Sequence, residues 1–215
     1  MSLEDEFSAH LTSDITWRVR ELSEIVRACG PSADNDILRA ALLRASVPLM
    51  YAHWEGYFVK ASNSYLNFLA EKRTLLSAMR DEFWALSVIK RFQHANYVGD
   101  EKFRRFLISI RSDPDRSLKK GSFNKINGRS NLSSSVLVTC CEMVGLSPSF
   151  FEPYFEFIDN NLIVKRNFIA HGESLRFSSA DVGPYRDKVV ELMRITFNQF
   201  DNAVTRELYL RAPPH

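Results

Sequence analysis

The 215-residue chain is sparing with glycine and proline, eight of each, and has only three cysteines. So little Gly and Pro excludes collagen-like and low-complexity readings. Cys29, Cys140 and Cys141 are odd in number, and the last two are adjacent, which is poor geometry for a bridge between them. A reduced, cytoplasmic protein is expected. No apolar run nears the ~20 residues of a spanning helix, so no membrane partner is expected. The opening Met1-Ser2-Leu3-Glu4-Asp5-Glu6 is acidic where a secretory leader is basic. Excess charge is also scarce: the net +2 excludes a uniformly basic nucleic-acid coat, though not a local basic patch.

Familiar catalytic signatures are missing too. There is no Walker loop, Gly-x-Gly-x-x-Gly or Gly-x-Ser-x-Gly, and no Cys-x-x-Cys or His-Glu-x-x-His. The five histidines, at 10, 53, 94, 171 and 215, lack metal-ligand spacing. No metal and no cofactor are expected. Cys140 and Cys141 read as small buried helix residues rather than nucleophiles.

What the chain does have is apolar material at helical spacing: 45% hydrophobic residues, 16 of them Phe. Ile15, Val19, Leu22 and Val26 share one face of a helix over 13–28, which Gly30-Pro31 would stop. Asp34-Asn35-Asp36 offers a cap for a longer helix running through Leu38, Leu42, Ala45, Leu49 and Ala52 toward Leu69. That helix would be about 45 Å long, the spine of a bundle, with Pro48 kinking or splitting it. A third helix is expected over 74–92. Ser133-Ser134-Ser135 would cap a short helix over Val136–Val144, which Gly145 stops, and Ser147-Pro148 would start one carrying Phe151, Phe155, Ile158, Leu162 and Lys165. The last helix would begin near Gly183-Pro184, with Tyr185, Val189, Leu192, Thr196, Phe200 and Ala203 on one stripe, and Pro213-Pro214 closes the chain. The expectation is a single all-α domain over 1–215, four to five core helices packed roughly antiparallel.

Residues 96–130 differ in character. Nine Lys and Arg between 102 and 129, among them Lys119, Lys120, Lys125 and Arg129, face only Asp113 and Asp115. The segment holds +7 on a chain that is otherwise −5. With turn signals at Asp113-Pro114, Lys120-Gly121 and Asn127-Gly128, it reads as an irregular basic insertion. It is either a solvated loop or a surface that holds an RNA backbone.

The stretch richest in chemistry is Lys165-Arg166-Asn167-Phe168-Ile169-Ala170-His171-Gly172-Glu173. Arg166 can bind two phosphate oxygens at once, His171 can move a proton near neutral pH, and Asn167 can hold an imidazole or a hydroxyl. Such a set suits metal-free phosphodiester cleavage. On one continuous helix, however, Arg166 and His171 point about 140° apart, while Asn167 and His171 share a face. Either the helix ends between Arg166 and His171, with Gly172 as a stop, or the site draws residues from two chains. The competing reading makes His171 a helix-end residue and Arg166 a surface ion-pair partner.

Arg166-Asn167-Phe168-Ile169-Ala170-His171 resembles the Arg-x4–6-His signature of the HEPN superfamily (higher eukaryotes and prokaryotes nucleotide-binding). Leu42–Lys60, with its Tyr51-Ala52-His53-Trp54-Glu55-Gly56 core, is similar to an early-helix motif of a bacterial HEPN nuclease branch. The resemblance covers roughly 13–70 and 148–208 and leaves the basic middle unaccounted for. It implies an α-helical bundle, a homodimer with a shared cleft, and a metal-independent endoribonuclease. A toxin of a toxin–antitoxin or phage-defence system, with a cognate antitoxin as partner, is the implied setting. His171 would be general base or acid, Arg166 would stabilise phosphoryl charge, and Asn167 would position substrate or imidazole. Glu55 would orient Arg166 or His171. Lys60 would extend the positive rim, with Lys119, Lys120, Lys125 and Arg129 binding RNA. His53 reads as a packing residue, and Trp54 and Tyr57 as core or interface aromatics. The alternative is a catalytically inert HEPN module that binds nucleotides or a protein.

Overall fold

The computed structural model describes residues 1–30, 36–94, 100–111, 118–119, 121–128, 131–174 and 177–211. Among them are seven α-helices and no strand: α1 (Leu3–Ala28), α2 (Asp36–Glu71), α3 (Asp81–His94), α4 (Asp100–Arg111), α5 (Ser134–Met143), α6 (Val164–Ala170) and α7 (Ser179–Thr205). Sequence signals at Pro31, Asp34-Asn35, Asp113-Pro114, Lys120, Arg129 and Pro213-Pro214 lie outside the described residues.

The first helix begins at Leu3, well before the apolar stripe does. A capping box starts it: the Ser2 hydroxyl accepts the Asp5 N–H and the Asp5 carboxylate accepts the Ser2 N–H. Glu4, Asp5 and Glu6 then face the positive end of the helix dipole. The second helix is the expected spine, and Pro48 does not split it. Long stretches on both sides of the proline are buried, including Leu43, Val47, Met50, Tyr51 and Trp54. The lost hydrogen bond is offset by burial of both halves against the same core.

The bundle is built on α1, α2 and α7, which pack on one another along their lengths. Leu11 meets Tyr57, and Arg18 meets His53, so α1 and α2 run antiparallel. Trp54, Phe58, Tyr65, Phe83, Phe151 and Phe200 form a connected aromatic core with ring centroids 5.4–6.4 Å apart. Trp54 and Tyr57 are fully buried, which makes them core residues.

Four other regions differ from the sequence reading. The 74–92 helix starts only at Asp81, after a 3-10 turn over Leu76–Ala78. The basic stretch contains helix α4, whose Phe106 is buried and sits 5.8 Å from Phe92 of α3. Its helical stripe, Phe103, Phe106, Leu107 and Ile110, went unnoticed beneath the charge count. The helix expected from Ser147 is instead two 3-10 turns (Pro148–Phe150 and Glu152–Tyr154), a π-helix over Phe157–Ile163, and then α6. Pro153 removes a backbone donor there. The final helix starts at Ser179 rather than at Gly183, because Ser178 and Asp181 form a second capping box.

Candidate functional site

The π-helix governs where Arg166 points. Its wider turns change the register of the chain before α6 begins. The π-helix is fixed by Phe157, Ile158 and Leu162 in the core, and by Asp159, whose carboxylate accepts the Ser134 N–H at 2.8 Å. The ring of Phe157 meets that of Tyr185 of α7 at 4.9 Å.

On the following helix, the Arg166 side chain turns toward α2. Its Nη1 donates to Asn131 Oδ1 at 3.0 Å and to Asn167 Oδ1 at 2.8 Å. The guanidinium carbon lies 5.2 Å from the centroid of the Tyr51 ring, a cation–π contact. The Tyr51 hydroxyl accepts the Leu132 N–H at 2.7 Å. Burial, first of all, pushes the phenol of Tyr51 up to about 12. The Leu132 N–H opposes that shift and the neighbouring Glu55 carboxylate reinforces it. Tyr51 is therefore a neutral ring face at physiological pH.

Glu55 stands one turn along α2 from Tyr51 and is half-buried against Gly128. A Cβ on residue 128 would lie 2.1 Å from Glu55 Oε1, so this glycine admits a closer approach than any side chain would. Among the described residues no hydrogen bond joins Glu55 to Arg166.

His171 caps α6, and its backbone N–H bonds the Asn167 carbonyl at 2.9 Å. Gly172, at φ +79°, then takes the left-handed turn. The Gly172 N–H bonds Ile169 O at 3.1 Å and the Glu173 N–H bonds Phe168 O at 2.9 Å, a Schellman stop as Gly172 promised. Arg44 Nη2 of α2 holds the Glu173 carbonyl at 2.9 Å, which pins this helix end to the spine. The His171 side chain is exposed, and among the described residues no hydrogen bond joins it to Arg166. The helix does not end between the two residues: Arg166 is in its first turns and His171 at its cap.

The other expected residues fall elsewhere. Lys60 pairs with the buried Asp14 of α1, and Arg18 bonds the same carboxylate, so Lys60 serves the α1–α2 seam. His53 is buried on that seam, its Nε2 2.9 Å from a Glu21 carboxylate oxygen and its ring edge-on to Trp17. Lys119 and Lys125 are exposed, whereas Lys120 and Arg129 lie outside the described residues. Cys140 and Cys141 are buried, and burial pushes the Cys141 thiol up to about 12, which leaves it inert.

Tyr51 and Asn131 are the residues that sequence reasoning missed. Tyr51 lies inside the quoted early-helix motif, four residues before Glu55 on the same face. Asn131 gave no signal, since nothing local relates it to Arg166, 35 residues away.

Compared with known proteins, residues 13–202 match the family model described as RiboL-PSP-HEPN. The match runs through the basic middle as well as both motifs. No curated protein and no solved structure matches the chain.

Proposed function

The chain belongs to the RiboL-PSP-HEPN family, and from that membership we propose that it is a metal-independent endoribonuclease whose chemistry resides in Arg166, Asn167 and His171. HEPN domains serve as nucleases or nucleotide-binding modules. The observation that carries the nuclease reading is the pairing of a restrained guanidinium on a seven-residue helix with an exposed imidazole at that helix's C-cap.

In the proposed reaction the ribose 2′-hydroxyl attacks the adjacent phosphorus. The P–O5′ bond breaks, leaving a 2′,3′-cyclic phosphate and a 5′-hydroxyl. One proton leaves the 2′-oxygen and one arrives at the 5′-oxygen, and His171 performs one of these transfers. Arg166 stabilises the charge that grows on the non-bridging oxygens, where a fixed donor costs no reorganisation. Asn167 supports this arrangement by accepting from Arg166 Nη1.

Two subunits are part of the proposal. Arg166 and His171 of one chain diverge around α6, so a second copy would bring the missing group to the same phosphate. Val164 and Phe168 favour such pairing. They lie one turn apart on α6 and are 41% and 42% exposed, large apolar side chains beside the site. A role as a toxin in a toxin–antitoxin or phage-defence setting, countered by a cognate antitoxin, is the biological context we infer. The exposed Lys119 and Lys125 are the proposed RNA-backbone contacts among the described residues.

The test is incubation of purified protein with total RNA in EDTA, parent beside His171→Ala. The parent is expected to cleave and the variant to be inactive with unchanged helical content. An inactive parent would leave the chain as a binding module; an active variant would remove His171 from the mechanism.

A further inference from the structure

We propose that Asn131 and Tyr51 are positioning residues that clamp Arg166 so that one chosen edge of its guanidinium faces the scissile phosphate. This rests on the ribonuclease reading above. A guanidinium carries five N–H donors. Both hydrogens of Arg166 Nη1 are accounted for, one by Asn131 Oδ1 and one by Asn167 Oδ1. The guanidinium carbon lies over the Tyr51 ring, 5.2 Å from its centroid. The Nε–H and the two Nη2 hydrogens have no acceptor among the described residues. Nε and Nη2 form the side-on edge of the fork, whose spacing matches two oxygens of one phosphate. Two amides and a ring therefore select which pair of donors is presented.

The clamp is itself anchored. Leu132, next to Asn131, donates its N–H to the Tyr51 hydroxyl, so the ring and the amide are tied together. Upstream, the Asn63 side chain takes both backbone groups of Ile126: Oδ1 accepts the Ile126 N–H at 3.0 Å and Nδ2 donates to its carbonyl at 2.9 Å. Between them Gly128 sits on Glu55. Three positions on α2, Tyr51, Glu55 and Asn63, thus hold Leu132, Gly128 and Ile126 against the spine. Asn131, just past the basic segment, reaches the arginine beside the anchored Leu132.

The experiment combines kinetics with a signal from the guanidinium itself. Single-turnover cleavage of an RNA oligonucleotide in EDTA is compared for the parent, Asn131→Ala, Arg166→Ala and the double variant. Misplacing a fixed group by about 1 Å costs up to roughly 100-fold. Asn131→Ala is expected to lower the cleavage rate constant by about 10-fold or more with KM little changed, and to add no loss on top of Arg166→Ala. Equal losses in both backgrounds would overturn the proposal, since Asn131 would then act independently of the arginine. Tyr51→Phe keeps the ring under the guanidinium and should retain more activity than Tyr51→Leu; equal damage from both would overturn the ring's role. Side-chain 15N NMR of Arg166, assigned by its loss in Arg166→Ala, gives the second readout. Resolved Nη signals in the parent that merge in Asn131→Ala support the clamp, and signals already merged in the parent refute it. If the parent shows a held guanidinium but cleaves no RNA, the ribonuclease reading fails while the clamp stands.

Discussion

Replacing Asp14 with asparagine removes one negative charge from the seam between α1 and α2. The Asp14 side chain is 2% exposed and its carboxylate accepts from Arg18 Nε at 2.9 Å, Trp17 Nε1 at 2.9 Å, and Lys60 Nζ. Burial alone would push this carboxyl up, but the donors from Lys60, Trp17 and Arg18 outweigh it and hold it below the usual aspartate value. Arg18 is nearly buried, with one further hydrogen bond, to the His53 carbonyl at 3.2 Å, so Asp14→Asn leaves a guanidinium without its counter-charge. Breaking such a pair costs about 3–5 kcal/mol. The lower end applies here, about 3 kcal/mol, because asparagine keeps an acceptor oxygen and the Lys60 end is part-exposed. At roughly 2–4 °C per kcal/mol for a chain of this size, Tm should drop by roughly 6–12 °C. The pH dependence has a definite sign. A carboxyl whose folded pKa is depressed stabilises fully above its unfolded value of about 3.9, and that stabilisation is lost as pH falls through the folded value. Urea melts of parent and variant should therefore differ by the full amount at pH 7 and pH 5, and converge as pH drops below about 3.9. A gap that stays constant down to pH 3, or no gap at pH 7, would refute the reasoning.

Gly128→Ala should cost about 1–2 kcal/mol, because a Cβ at 2.1 Å must displace the Glu55 carboxylate to the ordinary range beyond 3.4 Å. Thermal melts should show that cost largely vanish in a Glu55→Ala background, and equal costs in both backgrounds would count against the contact. Charge reversal of the exposed pair Lys119 and Lys125 should weaken RNA binding more at low salt than at high salt, measured by fluorescence anisotropy. No change at low salt would remove these lysines from the interface. An all-deoxy oligonucleotide should resist cleavage, since the attacking 2′-oxygen is missing, and a comparable rate on DNA would contradict the reaction scheme.

Much of the bundle was readable because its determinants are local. The apolar stripes of α1, α2 and α7 recur at helical spacing, Ser133 caps α5 through the Val136 N–H, and Gly145 and Gly172 stop helices at positive φ. Where long-range packing decides, the sequence was silent. The π-helix preserves an apolar pattern that an α-helix would also satisfy, so spacing could not separate them. The start of α1 depends on a two-residue capping exchange at Ser2 and Asp5 that precedes any apolar periodicity. At the site, Arg166, Asn167 and His171 announced themselves by chemistry packed into six residues. Asn131 did not, because its meeting with Arg166 is made by the fold alone. The pairing of Lys60 with Asp14, 46 residues away on α1, is likewise made by the fold and has no local signal.

In the proposed dimer a guanidinium from one subunit and an imidazole from its partner serve the same phosphate. Co-expression of Arg166→Ala chains, severely impaired alone, with His171→Ala chains, inactive alone, tests this claim most directly. The mixed dimer carries one intact Arg166 and one intact His171 on different chains. Recovery of RNA cleavage in the purified mixed dimer is the predicted result. A mixed dimer that assembles but remains no more active than either variant alone would contradict the claim.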